Sequence, residues 1–311
     1  MTGARSRLHG GITRRAALAA LGGGAAVAAG VRPAAAAPLT RPIPSSREPL
    51  PLIGLGTWIT FNVGDDTALR DERMRVLAAF FALGGGMIDS SPMYGSAEAV
   101  IGYGLQRLPN TGGLFAATKV WTPFTARGEA QMAESGRLWG RDRFDLMQVH
   151  NLLNWDGHLP WLFDAKAAGH VRYVGITTSH GRRHEDMAKL MATQPIDFAQ
   201  FSYNILDREA ERRLLPMAAD RGVAVIINRP FRTKELFELF ARYPVPDFAH
   251  EIDCVNWAQF FLKFVVSHGA VTCAIPATSR VDHMAENMGA LRGRLPDAAM
   301  RQRMIRYVEN L

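Results

Sequence analysis

An acid and a phenol stand five residues apart in residues 86–95, Gly-Met-Ile-Asp-Ser-Ser-Pro-Met-Tyr-Gly. Met87-Ile88 follows a glycine cluster, so the run reads as a short buried strand ending at Asp89. Pro92 and Gly95 mark the next segment as a loop carrying Tyr94, and Ser96 is placed to cap a helix from residue 97. A carboxylate at a strand's carboxyl end, with a phenol in the next loop, sits where α/β proteins gather their chemistry. Two more side chains suit the same place. Lys119, one of five lysines against thirty-one arginines, ends the run Phe115-Ala116-Ala117-Thr118-Lys119. In so apolar a strand its ammonium needs a carboxylate, and Asp89 on the neighbouring strand is the natural partner. An ammonium beside Tyr94 favours the phenolate and so lowers the phenol's pKa. His150 closes the run Leu146-Met147-Gln148-Val149-His150 and can hydrogen-bond a substrate oxygen. No His, Cys and carboxylate cluster has metal-ligand spacing, so no metal is expected.

The elements that must position these groups alternate along the chain. Apolar runs at 52–56, 87–89, 114–120, 146–150, 171–177, 198–203, 223–227 and 271–275 read as buried strands. Amphipathic stretches at 72–83, 129–139, 159–168, 182–191, 209–221 and 255–267 read as helices. Eight strands alternating with helices imply a parallel sheet covered by helices. A doubly wound sheet announces itself by Gly-x-Gly-x-x-Gly opening the first helix. Gly54-Leu55-Gly56-Thr57-Trp58 lacks the third glycine and leads into Phe61-Asn62-Val63-Gly64, so a (β/α)8 TIM barrel is expected. Residues 40–51, with Ser45-Ser46-Arg47-Glu48 at their middle, predict an N-terminal β-hairpin that plugs the barrel floor.

The first 37 residues are of another kind. Thr13-Arg14-Arg15 precedes an Ala, Leu and Gly run, and Arg32-Pro33-Ala34-Ala35-Ala36-Ala37 comes after it. A charged start, a modest apolar middle and a small-residue end define a cleavable signal peptide over 1–37, leaving 38–311 as one domain. The paired arginines resemble a twin-arginine signal, which implies passage through the twin-arginine export machinery and a periplasmic or secreted protein. The segment carries five arginines and no acid, so 31 basic and 29 acidic residues remain and the net charge falls from +7 to +2. Nucleic-acid binding thereby loses its support. Cys254, in an apparent helix, and Cys273, in an apparent strand, read as buried free thiols.

Five motifs extend the pattern in order: 54–58, 88–95, Thr118-Lys119-Val120, Gln148-Val149-His150, and Ile275-Pro276 followed after ten residues by Asn287. Together they resemble the aldo-keto reductase superfamily over roughly residues 39 to 311. The resemblance implies a catalytic set of Asp89, Tyr94, Lys119 and His150, reducing an aldehyde or ketone by hydride transfer with Tyr94 as general acid. It implies nicotinamide-cofactor contacts at Gly56, Thr57, Trp58, Thr177, Thr178, Gln200, Asn228, Arg229, Pro230, Phe231, Thr278, Ser279, Arg280, Glu286 and Asn287. Four positions depart from many family members. Thr178 stands where the family often has Asn, Asn228 where many members place an aromatic ring that stacks on the nicotinamide, and Ala277 and His283 where many relatives put a Lys and an Arg that grip the 2′-phosphate. Ser279 and Arg280 remain for that phosphate, which implies NADP, with NAD possible.

An alternative reading is a non-enzymatic regulatory or sensor subunit that keeps the nicotinamide pocket, against which the intact set of four argues. A glycoside hydrolase needs two carboxylates at strand ends, and Asp197 precedes its strand. Loops at the strands' carboxyl ends bring Trp58, Phe61, Trp121, Leu152, Trp155 and Phe231, an apolar set suited to a carbonyl compound with a ring or alkyl body.

Overall fold

The computed structural model describes residues 37–311. The expected signal peptide therefore lies outside the described residues, apart from Ala37. The hairpin is present. β1 (Thr40–Pro42) pairs antiparallel with β2 (Pro49–Pro51), Thr40 opposite Pro51.

Eight parallel strands come next: β3 (Leu55–Gly56), β4 (Met87–Asp89), β5 (Phe115–Val120), β6 (Phe144–Val149), β7 (Val171–Thr177), β8 (Phe198–Ser202), β9 (Ala224–Asn228) and β10 (Val271–Ala274). Each pairs with the next in chain order. The barrel closes through bridges from Ile53 to Ala274 and from Gly56 to Ala277. Gly54 N donates to Ala274 O and Ala274 N donates to Leu52 O, each at 2.8 Å. β3 is shorter than its predicted run because its paired ladder with β4 covers two residues only, its flanks joining β10 instead. A Cβ on Gly56 would stand 2.7 Å from Ile275 O, so the seam admits no side chain there.

Strand alternation sorts side chains into two cores. Outward residues such as Val120, Val149, Ile176, Phe201 and Ile227 pack under the helices. Inward residues Met87, Phe115, Ala117, Leu146, Tyr173, Phe198, Ala224, Ile226 and Cys273 form a second cluster, joined by Ile43 and Leu50 at the hairpin. The hairpin thus seals the amino-terminal floor with apolar side chains. Asp89, Lys119, Gln148 and Gln200 occupy the next inward positions of their strands toward the carboxyl ends.

The six predicted amphipathic stretches are helical with shifted ends, and the helices at 235–240, 281–289 and 298–309 have no counterpart among them. α1 (Thr67–Ala82) starts earlier than predicted because Asp66 Oδ1 caps Leu69 N. α2 (Ala97–Leu105) and α3 (Gly128–Trp139) succeed β4 and β5. Ser96 stands at the start of α2 without capping it; its hydroxyl accepts from Gly64 N and donates to Asn62 Oδ1. α4 (Trp155–Ala167) and α5 (His184–Thr193) come next. The stretch 209–221 is two pieces, a 3-10 turn (Glu209–Arg212) and α6 (Leu214–Arg221). Pro216 in the first turn of α6 has no N–H for a continuing ladder, which forces the break. α7 (Glu235–Phe240), α8 (Trp257–Val266), α9 (Val281–Gly289) and α10 (Ala298–Glu309) complete the chain. Cys254 lies in the loop before α8, not in a helix, because Asn256 caps α8 by accepting from Gln259 N. Both cysteines are free and buried.

Candidate active site

At the carboxyl ends of the strands, Asp89 is the hub. Its Oδ2 accepts from Lys119 Nζ at 2.6 Å, and its Oδ1 accepts from Gln148 Nε2 and Gln200 Nε2, each at 3.0 Å. Lys119 also donates to Ser90 O at 2.7 Å. Register explains the convergence: Asp89 pairs with Ala117, two residues before Lys119, and Lys119 pairs with Gln148. Lys119 and Asp89 are 0 % and 1 % exposed, so the pair is out of water. Burial works against the Lys119 charge, but Asp89 and Tyr94 outweigh it and hold the ammonium above its usual range.

Tyr94 ends one turn of 3-10 helix, Pro92–Tyr94, whose first N–H from Met93 is capped by Ser91 Oγ. The Lys119 ammonium lies 5.1 Å from the centre of its ring. The expected fall in the phenol's pKa is not what results. Burial raises it, Asp89 adds to the rise, and the opposing pull of Lys119 is smaller, so the phenol sits above its usual value and keeps its proton. His150 meets the Tyr94 ring edge-on, centroids 5.6 Å apart, and its Nδ1 lies 2.8 Å from Ser91 Oγ. Burial first, and Lys119 second, push its pKa well below the usual histidine value, so the imidazole is neutral.

These groups open into a cavity of about 960 Å³. All fifteen positions expected to touch the cofactor line it, as do Asp89, Tyr94 and His150, whereas Lys119 stands behind them. Gln200 is held through its Nε2 by Asp89. Thr177 Oγ1 accepts from Asn151 N at 2.9 Å. Thr178 Oγ1 is buried on the cavity wall without a hydrogen-bond partner among the described residues. Asn228 donates to Thr178 O at 2.8 Å and accepts from Ser202 Oγ at 2.6 Å, so it ties three strand ends together. Phe231 lines the cavity with its ring 4.7 Å from that of Phe237. Arg182, Arg229, Lys234 and Arg280 line the cavity together with Glu238 and Glu286. Arg229 Nη1 donates to His180 Nε2 at 2.8 Å. Arg280, at the start of α9, is exposed and paired through Nε with Asp282 Oδ1 at 2.9 Å.

The aromatic set is divided. Trp58 and Phe231 line the cavity, as do Ile59 and Met93. Phe61 and Leu152 are buried in the outer core, where Trp155 also packs, and Trp121 is exposed outside the cavity lining. Sequence reasoning overlooked Gln148 and Ser91. Gln148 was signalled by period-two spacing from His150 on one strand. The reach of Ser91 to a residue 59 positions away has no local signal.

The Aldo/keto reductase family pattern matches residues 52–240. Methylglyoxal reductase YeaE of Escherichia coli is 26% identical over 81% of this chain and 89% of its own length. Aldo-keto reductase str7 of Strobilurus tenacellus is 26% identical over 71% and 76%. Among solved structures, the holo form of aldo-keto reductase AKR11C1 from Bacillus halodurans superposes with a TM-score of 0.71 at 21% identity, covering 87% of this chain and 96% of that one. An aldo/keto reductase from Klebsiella pneumoniae, solved with NADP and acetate, gives 0.70 at 24% identity, covering 84% and 92%. With the family pattern spanning more than half its length, this chain belongs to the aldo/keto reductase family of oxidoreductases.

Proposed function

We propose that the chain reduces an aldehyde or ketone to an alcohol using NADPH, with Tyr94 as the general acid. The observation that carries this reading is a phenol kept protonated by burial, beside a neutral imidazole and a buried Lys119–Asp89 pair, at the floor of one cavity. The residues fit a nicotinamide dinucleotide. Thr178 Oγ1 is a polar atom on the wall without a partner among the described residues, the Gln200 side-chain oxygen can accept from a carboxamide, and Arg182, Arg229 and Lys234 in the lining can pair with a pyrophosphate. When bound, NADPH would supply a hydride for the carbonyl carbon. Tyr94 donates its proton to the carbonyl oxygen, and Lys119 stabilises the phenolate left behind. Asp89, gripped by two amides, keeps Lys119 in place and charged. His150, beside Tyr94, is placed to polarise the carbonyl.

The adenosine end would be held by Thr278, Ser279, Arg280, Glu286 and Asn287, where Arg280 must exchange Asp282 for a 2′-phosphate. Two Escherichia coli relatives are named methylglyoxal reductases, one of them NADH-specific, which makes a small 2-oxoaldehyde the first substrate to assay. NADPH consumption by the purified mature chain, with methylglyoxal and a panel of aldehydes and ketones, tests the reading. Failure to bind or oxidise NADPH with any of them overturns it.

We also propose that residues 1–37 direct export by the twin-arginine route, because a dinucleotide enzyme gains from folding around its cofactor before crossing a membrane. Arg14→Lys with Arg15→Lys should leave a folded, unprocessed protein in the cytoplasm; unchanged processing would reject that route.

A further inference from the structure

Ser91 occupies a position that the reduction mechanism leaves without a role, yet it is fully buried and joins two of the groups that act. Its Oγ lies 2.8 Å from His150 Nδ1 and 3.2 Å from Met93 N. The Met93 N–H can only donate, so it takes one lone pair of the hydroxyl. The hydroxyl's own hydrogen then has one hydrogen-bond acceptor among the described residues, His150 Nδ1. A neutral imidazole carries a single hydrogen, and if Nδ1 accepts, that hydrogen is on Nε2. A carbonyl oxygen accepts only, so His150 serves it solely through an N–H. In the opposite tautomer Nε2 would present a lone pair to that oxygen and repel it.

We propose that Ser91 is a positioning residue that fixes His150 as the Nε2–H tautomer, leaving that nitrogen as the one able to donate to the substrate carbonyl. Ser91 does this from the turn that carries Tyr94. The same hydroxyl caps the Pro92–Tyr94 turn, so one side chain aligns the proton donor and the polarising imidazole on a common oxygen. Local sequence supplies the turn, and the closed barrel supplies the histidine, brought from β6 to β4.

The role in catalysis rests on the carbonyl-reduction reading, but the tautomer can be read without any substrate. Long-range 15N–1H correlation spectra of the folded wild-type chain should show His150 neutral at pH 7 with its hydrogen on Nε2. A hydrogen on Nδ1 in the wild type overturns the proposal, whatever the enzyme's activity. Ser91→Ala should move the 15N pattern toward the Nδ1–H form and lower kcat for carbonyl reduction about tenfold, the scale of one hydrogen bond's effect on an equilibrium. KM should change little, and Ser91→Thr, which keeps the hydroxyl, should restore both the spectrum and kcat. If Ser91→Ala lowers kcat while the Nε2–H pattern persists, Ser91 acts only as the cap of its turn and the tautomer role is rejected. If the wild type shows the Nε2–H pattern and reduces no carbonyl, the reduction reading fails while the tautomer assignment stands.

Discussion

Gln148 donates from Nε2 to Asp89 Oδ1 at 3.0 Å, reaching across β5 from β6 to β4. It lies outside the cavity lining, so its effect on the reaction runs through Asp89 and Lys119. Gln148→Leu should lower stability by roughly 1.5–3 kcal/mol, the range for a hydrogen bond to a charged group. Its kcat should fall less than that of Tyr94→Phe. Denaturant unfolding beside steady-state kinetics checks both, and an unchanged midpoint would mean that Gln200 alone suffices to hold Asp89.

Tyr94→Phe keeps the ring and removes the transferable proton. Turnover should fall by about 10²–10⁴-fold, the usual worth of a general acid, with cofactor affinity nearly unchanged. Activity above about a tenth of wild type would remove Tyr94 from the proton-donor role. Because burial holds its pKa above the usual tyrosine value, wild-type reduction should show no loss from phenol ionisation through neutral and mildly alkaline pH.

Removing Lys119 or Asp89 alone leaves a buried, uncompensated charge. Lys119→Met and Asp89→Leu should each cost about 3–5 kcal/mol and abolish reduction. The double variant should regain part of the stability and none of the activity. Strictly additive losses in the double-mutant cycle would contradict the 2.6 Å contact.

Glu98 is buried behind the site, where it accepts from Thr118 Oγ1 at 2.6 Å, Ser135 Oγ at 3.0 Å and Trp139 Nε1 at 3.1 Å. Burial raises its pKa, and the three neutral donors offset only part of that rise. A carboxyl raised in the folded state supports folding below its ordinary pKa, and the support is lost as pH climbs through the raised value. Glu98→Gln carries no charge at any pH, so its stability relative to wild type should increase from about pH 4 toward neutrality. Thermal midpoints measured across that interval test this; a constant difference would mean that Glu98 titrates alike in the folded and unfolded chains.

Much of the candidate site was legible in the sequence. Asp89 and Tyr94 share one strand end and loop, and Lys119 and His150 end their own apolar runs, so local pattern placed all four at strand termini. The hairpin and the alternation of strands with helices were equally local. Helix ends were less so, since caps such as Asp66 and breaks such as that before Pro216 depend on single hydrogen bonds.

Sequence by itself thus determined which residue types end each strand and that a barrel would collect them. Only the tertiary structure decided what those residues do to one another. Lys119 lowering the phenol's pKa was a sound pairwise expectation, but burial depth is a property of the whole barrel and it outweighs that pull. The two amides on Asp89, and Ser91 beneath His150, likewise come from strand register and closure, which join positions 59 and 111 residues apart. Periodicity reports which face a side chain takes; distance and dielectric are set only when the sheet has closed.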